Sequence, residues 1–145
     1  MTGEDRQGAP LVILGVAESD AHAVANRLIE MYLRAQGYLV VNLGVCTPLT
    51  DFADALAAHP EAVAVLIGSL NGHAYDDLRD LPALRAAGWL DRPVVVGGNL
   101  SVDGAEGHAG LHALGVDHVA RDEHELLALL DQLCSPVARS LGEGR

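Results

Sequence analysis

A chain of 145 residues, half of them hydrophobic and only 3% aromatic, reads as one domain with an aliphatic core. Its net charge of −11 leaves no basic face for nucleic acid, and its nine basic residues are all arginine, which removes any mechanism that needs a lysine amine. No apolar run approaches the ~18 residues of a membrane span, and the polar start from Met1 to Pro10 lacks the segments of a signal peptide, so a cytoplasmic chain that meets neither membrane nor nucleic acid is expected.

Residues 1–10 read as a disordered tail. Leu11 to Val16 is a continuous apolar run, the pattern of a strand covered on both faces. A turn follows. Val24, Leu28, Ile29, Met31, Tyr32 and Ala35 then recur at helical spacing in a helix from about Ala23 to Gln36, with Gly37 as its stop. Tyr38 to Leu43 reads as the second strand and Gly44 to Pro48 as a loop. Thr50 is placed to cap a helix from Asp51 to Ala58, which Pro60 ends. Ala62 to Ile67 is the third strand. A loop from Gly68 to Tyr75 leads to a helix from about Asp76 to Ala87, which Pro82 must kink or split. Val94 to Val96 is the fourth strand, and a glycine-rich loop from Gly97 runs to Gly107. A short helix from Ala109 to Leu114 stops at Gly115. Val116 to Val119 is a weak fifth strand. Leu126, Leu127, Leu129, Leu130 and Leu133 mark a last helix from Glu123 to Leu133. Residues 135–145 read as a second disordered tail, leaving 11–134 as the folded domain.

Apolar strands alternating with helices specify a parallel sheet covered on both faces, and right-handed crossovers make it doubly wound. The fold class is therefore α/β: a flavodoxin-like (Rossmann-like) five-stranded parallel sheet in the order 2-1-3-4-5. Such sheets bind ligands beyond the carboxyl ends of their strands, near the switch between strands one and three. Loops 17–22, 44–48, 68–71, 97–100 and 120–122 should converge there.

Asp20 and His22 share the first of those loops. An imidazole that binds a metal through one nitrogen needs an acceptor for its other N–H, commonly a carboxylate, which fixes the tautomer. A helix start with Asp20 as its cap and His22 exposed in the first turn would use the same two residues. Gly68 and Ser69 open space over strand three and offer a hydroxyl, or make an ordinary turn. Gly97 and Gly98 let a flat or sugar-phosphate group approach the backbone, or supply a positive φ. No GxGxxG follows strand one, and no GxSxG elbow is present. His108 and His112 lack a third ligand, so a surface pair is preferred to a zinc site. Cys46 and Cys134 form no CxxC, and Cys46 reads as a buried structural thiol. His59, His73, His118 and His124 read as solvated.

Together these segments resemble the cobalamin-binding domain family, whose signature is Asp-x-His-x-x-Gly, Ser-x-Leu and Gly-Gly on successive strand ends. Here they read Asp20-Ala21-His22-Ala23-Val24-Ala25, Gly68-Ser69-Leu70 and Gly97-Gly98. Over about residues 10–120 the chain is most similar to the small subunits of glutamate mutases. Those subunits carry segments like Ser19 to Asn26, Val40 to Val45, Ser69-Leu70-Asn71-Gly72 and Val96-Gly97-Gly98-Asn99. Ala25 stands where the signature has glycine, and Gly68 where it has its first serine. Ala120 to Glu123 lacks the Tyr and Pro-Gly segment of those subunits.

The resemblance implies the cobalamin-binding subunit of an adenosylcobalamin-dependent carbon-skeleton mutase of the glutamate to 3-methylaspartate type. It implies cobalamin bound with its dimethylbenzimidazole displaced, cobalt held by His22 as lower axial metal ligand, and Asp20 behind the ring. The displaced tail would lie between the sheet and the first helix. The cofactor-binding residues it implies are Ser19, Asp20, Ala21, His22, Ala23, Val24 and Ala25, with Gly68, Ser69, Leu70, Asn71, Gly97, Gly98 and Asn99 opposite. It also implies a partner, a large barrel-type mutase subunit carrying the substrate site. No residue of this chain is then catalytic, because the cofactor supplies the hard chemistry. The alternatives are a non-catalytic cobalamin carrier, a regulatory module, or an interaction domain without cofactor.

Overall fold

The computed structural model describes residues 9–69, 74–98 and 105–134. Leu70, Asn71 and Asn99 of the expected site lie outside the described residues, as do His73, most of the expected N-terminal tail and all of the C-terminal one. The elements run β1 (Leu11–Val16), α1 (Ala23–Ala35), β2 (Leu39–Asn42), α2 (Leu49–Ala58), β3 (Ala64–Gly68), α3 (Ala74–Asp77), α4 (Leu81–Ala86), β4 (Val94–Gly97), α5 (Ala105–Leu114), β5 (His118–Ala120) and α6 (Glu123–Cys134). The strands pair in parallel in the order β2-β1-β3-β4-β5, as the sequence predicts. Register sets the ends level: Val16 pairs with Gly68, Gly68 with Gly97 and Gly97 with Ala120. Three loops and the start of α6 therefore leave the sheet from one row.

Alternation along each strand divides the core into two layers. Ile13, Val65, Ile67, Val94 and Val96 face Phe52 of α2, Leu81 of α4 and Leu111 of α5. Val12, Leu14, Ala64, Leu66 and Val95 face Leu33 of α1 and Leu126 and Leu130 of α6. Each fully buried Leu or Ile side chain contributes about 1.5–3 kcal/mol, so the sheet is held strongly from both sides. Among the described residues no helix is long and apolar enough to cross a membrane.

Several boundaries depart from the sequence reading for local reasons. Thr50 is not a cap: α2 begins at Leu49, after an extended Pro48 that makes no side-chain cap bond. Burial of Leu49 draws the first turn into the core ahead of the threonine. The helix expected across Pro82 is split into α3 and α4, with the proline in the first turn of α4, where its missing N–H costs nothing. Helix α5 starts four residues before the predicted Ala109, so its glycines are helical; a Cβ on Gly110 would stand 3.3 Å from the Tyr75 ring. β5 starts after Val116, because the Val116 N–H bonds back to Leu111 O at 3.1 Å across Gly115, whose φ is +111°.

The largest departure is the face of α1. Val24, Leu28 and Met31, which recur at helical spacing, are 75%, 59% and 60% exposed. The buried residues of this helix are Asn26 and Leu33. The helix is turned so that an amide, rather than an aliphatic group, meets the sheet in its first half.

Candidate functional site

The loop between β1 and α1 is built into the sheet end. The Ala17 N–H donates to Gly68 O at 2.9 Å, and Asp20 N–H donates back to Ala17 O at 2.9 Å. Cys46 N–H donates to Asp20 O at 3.0 Å, and Ser19 Oγ donates to Asp77 Oδ2 at 2.7 Å. These bonds turn the Asp20 carboxylate inward, with no side-chain exposure, while the His22 side chain stays 55% exposed. Asp20 Oδ1 accepts the backbone N–H of His22 at 3.0 Å and also contacts His22 Nδ1. His22, not Asp20, is the N-cap residue of α1, and it makes no side-chain cap bond. The carboxylate is therefore committed to the imidazole, which leaves Nε2 as the ring nitrogen with no hydrogen bond among the described residues.

Beside this pair lies a cavity of about 210 Å³ between α1, the strand ends and the start of α6. Leu14, Leu66 and Val95 form its base; Ala25, Asn26 and Ile29 form the α1 wall. Arg121 to Glu123 and Leu126 close the far side, and His22 stands at the rim. Gly68, Ser69, Gly97 and Gly98 edge the opening from the sheet. Gly97 lies close to its neighbour strand, so a Cβ there would come 3.2 Å from Ala120 O, and Gly98 turns the chain at φ +113°. Ser69 is fully buried, and its Oγ has no hydrogen-bond partner among the described residues. An unpaired buried hydroxyl costs about 1–3 kcal/mol, a cost that a ligand atom could remove.

Polar order extends on both sides of the cavity. On α1, Asn26 is 7% exposed and joins Asn42 and Glu30 in a hydrogen-bonded chain. The bond from Asn42 and then Arg34 hold the Glu30 carboxyl below its ordinary value, against the opposing effect of burial. On α6, Glu125 N–H donates to Asp122 Oδ1 at 2.8 Å, a side-chain cap on the first turn. The Glu125 carboxylate accepts from the Arg121 N–H at 2.7 Å and from its guanidinium at 3.2 Å, which lowers its pKa.

His22, Ala25, Gly68, Ser69, Gly97 and Gly98 thus meet around one cavity although they are scattered in sequence. Asp20 sits behind the imidazole. Ser19, Ala21, Ala23 and Val24, expected to bind cofactor, do not line the cavity, and all four are exposed. Cys46 is exposed rather than buried, because φ of +52° and its bond to Asp20 O hold its backbone inward and its side chain out. Asn26, Ile29 and Leu126 also line the cavity, and the sequence reading did not single them out. A polar residue four positions after His22, in phase with Ile29 and Leu33, was the available signal for Asn26. Among the described residues no three His, Cys, Asp or Glu gather to hold a metal ion. A metal held by His22 would have to bring its other ligands with it. His112 Nδ1 lies 2.9 Å from Val116 O, within the turn that ends α5.

The chain matches the family described as B12 binding domain over residues 10–130. It is 50% identical over 93 residues to the glutamate mutase sigma subunit of Halobacterium salinarum, a match covering 64% of this chain and 62% of that subunit. It is 43% identical over 111 residues to glutamate mutase sigma subunit 1 of Haloarcula marismortui, covering 74% and 73%. The sigma subunit of Treponema denticola is 38% identical over 112 residues, covering 74% and 80%. Two solved structures share the fold at low identity. A cobalamin-binding protein from Desulfitobacterium hafniense superposes with a TM-score of 0.72 at 20% identity, over 86% of this chain and 59% of that one. The methanol:cobalamin methyltransferase complex of Methanosarcina barkeri gives 0.70 at 21% identity, over 87% and 46%.

Proposed function

Because the chain belongs to the B12-binding domain family, and within it to the glutamate mutase sigma subunits, we propose that it is the cobalamin-carrying subunit of a two-component, adenosylcobalamin-dependent carbon-skeleton isomerase. The observation that carries this reading is a half-exposed imidazole, backed by a fully buried carboxylate, at the rim of a cavity with an unpaired buried hydroxyl. The residues fit the group. His22 would hold cobalt through Nε2, with Asp20 fixing the tautomer and raising the basicity of the ring. The cavity of about 210 Å³ falls below the ~300–1,000 Å³ of a pocket for a whole drug-sized ligand, so it would take only part of so large a cofactor. The displaced dimethylbenzimidazole tail is the part that suits a mostly aliphatic slot with a few polar groups. Ser69 would bond it, and Gly97 and Gly98 would let it pass close to the backbone.

When bound, the adenosyl cofactor would supply the radical chemistry that converts glutamate to 3-methylaspartate. This chain's residues bind and orient the cofactor and are not catalytic. The substrate site would belong to a partner, a large barrel-type mutase subunit, with the corrin between the two chains.

The test is an absorption spectrum. Mixing the protein with cobalamin should give a complex with the base displaced and a histidine on cobalt, and His22→Ala should lose that ligation while keeping its circular dichroism. An unchanged free-cobalamin spectrum at saturating protein refutes the reading. Methylaspartate formation after addition of a glutamate mutase large subunit and adenosylcobalamin tests the isomerase. Binding without turnover would make the chain a non-catalytic carrier.

A further inference from the structure

We infer that Asn26 is a ligand-binding residue whose amide nitrogen donates into the cavity, so that the ligand must present a hydrogen-bond acceptor to the first half of α1. The inference rests on the cobalamin reading and names the chemistry of the end of the ligand that enters.

The polarity of Asn26 follows from its neighbours. An asparagine amide can be turned end for end, and its orientation is decided by what it bonds. The chain of decisions starts at Gly44, whose backbone N–H can only donate, and it donates to Asn42 Oδ1 at 2.9 Å. The oxygen of Asn42 is therefore the atom facing Gly44, and its nitrogen faces the other way. That nitrogen lies 2.7 Å from Asn26 Oδ1 and 2.9 Å from Glu30 Oε1. Glu30 agrees with this assignment: an ionised carboxylate only accepts, and its other oxygen receives the Arg34 Nε–H at 2.9 Å. Both hydrogens of Asn42 Nδ2 are thus committed, one to each acceptor. Asn26 must point its oxygen at Asn42, and its own NH2 is left facing elsewhere.

Among the described residues nothing accepts from that NH2. Asn26 is buried, and it lines the cavity beside Ala25 and Ile29. Asn26 and Ser69 are the two buried polar side chains among the described lining residues, one on the helix wall and one on the sheet. A serine hydroxyl can donate or accept; the Asn26 nitrogen can only donate. The helix wall therefore selects for an acceptor, such as an unprotonated ring nitrogen or a sugar or phosphate oxygen, and against a second donor. On a corrinoid these acceptors belong to the nucleotide tail.

The test compares two corrinoids on the full chain by absorption titration: aquacobalamin, and aquacobinamide, which lacks the nucleotide. Asn26→Asp keeps an oxygen for Asn42 and exchanges the donor for a second acceptor. It should weaken cobalamin binding by about tenfold or more, the range for opposing an acceptor with an unpaired buried group, and change cobinamide binding by less than about twofold. Asn26→Ala should weaken cobalamin alone by about two- to tenfold. Should Asn26→Asp fail to fold by circular dichroism, Asn26→Ala decides. Unaltered cobalamin affinity, or equal weakening of both corrinoids, overturns the inference. Wild-type protein that binds neither corrinoid defeats the cobalamin reading itself, a separate result.

Discussion

Removing the Ser69 hydroxyl should stabilise the ligand-free protein and weaken its hold on cobalamin. Ser69 is fully buried, and its Oγ finds no partner among the described residues. Its backbone N–H is already engaged with Gly97 O at 2.9 Å, so Ser69→Ala leaves the sheet end intact. Burying a hydroxyl unpaired costs about 1–3 kcal/mol. Ala keeps the Cβ and removes one atom, so the packing lost is small and a net gain of about 1 kcal/mol is expected. For a chain of this length that corresponds to a rise of roughly 2–4 °C in Tm. Urea titration should shift the midpoint up without changing the slope, since the exposed surface is the same. With saturating cobalamin that gain should be largely cancelled. If the hydroxyl meets an acceptor on the ligand, its loss costs about 0.5–1.5 kcal/mol of binding, two- to tenfold in Kd. The assay is therefore a pair of melts, with and without cobalamin, and a binding titration. A variant that melts lower in the ligand-free state, or that binds cobalamin as tightly as wild type, refutes the reasoning.

Four further outcomes follow from the same geometry. Gly15→Ala should lower stability by about 1–3 kcal/mol, because the new Cβ would lie 2.7 Å from Cζ of the fully buried Phe52 ring; an unchanged urea midpoint contradicts this. Ala25→Gly should cost up to about 1 kcal/mol of helix stability and yet tighten cobalamin binding by removing a methyl from the cavity wall; looser binding would place the ligand away from that wall. The carboxyls of Glu30 and Glu125 are held below their ordinary 4.5, the first by Asn42 and the second by the Arg121 backbone N–H. Folded protein therefore binds fewer protons there than unfolded protein, and the contribution is full above about pH 4.5 and lost as pH falls through the lowered folded values; stability flat from about pH 6 to about pH 3 contradicts this. Backbone amides in the first half of α1 should exchange faster than those in its second half, and cobalamin should slow the first half selectively; uniform exchange along the helix contradicts this.

The strands were legible because each is a short apolar run bounded by Gly, Pro or polar residues, and a parallel sheet needs little else. Leu11–Val16 matches residue for residue, and the strand order follows from chain connectivity. The position of the cavity was legible for the same reason: topology puts Val16, Gly68, Gly97 and Ala120 on one row. Whatever depends on the rotation of a helix or the sign of one φ was not. Val24, Leu28 and Met31 recur at helical spacing, but periodicity only locates an apolar stripe and cannot say that Asn26 is what faces the sheet. Cys46 looked buried because it follows an apolar strand. Its exposure comes from a positive φ and a bond to Asp20 O, both tertiary facts. Thr50 offered the right side chain for a cap two residues too late, since burial of Leu49 decided where α2 begins.

Helix α1 explains why a cavity persists beside so well packed a sheet. Its thirteen residues include one fully buried aliphatic side chain, Leu33, and that residue lies in the last turn. There the helix is also tied by Arg34, which donates to Val40 O at 2.9 Å, and by the Tyr38 N–H, which donates to Leu33 O at 3.0 Å. The first half has no such anchor. It stands on Asn26 and Asn42, a hydrogen bond worth about 0.5–1.5 kcal/mol net, where a buried Leu would contribute about 1.5–3. A Leu at position 26 would fill the slot and remove the donor. Keeping Asn26 there leaves α1 held firmly at one end and propped at the other, over a space lined by aliphatic groups. A ligand that fills that space supplies the packing the first half lacks, so binding and helix stability are coupled by mass action. His22 caps the propped end of the same helix. Whatever steadies the first turn of α1 also steadies the backbone that carries the imidazole, so filling the cavity and holding His22 in place are one event.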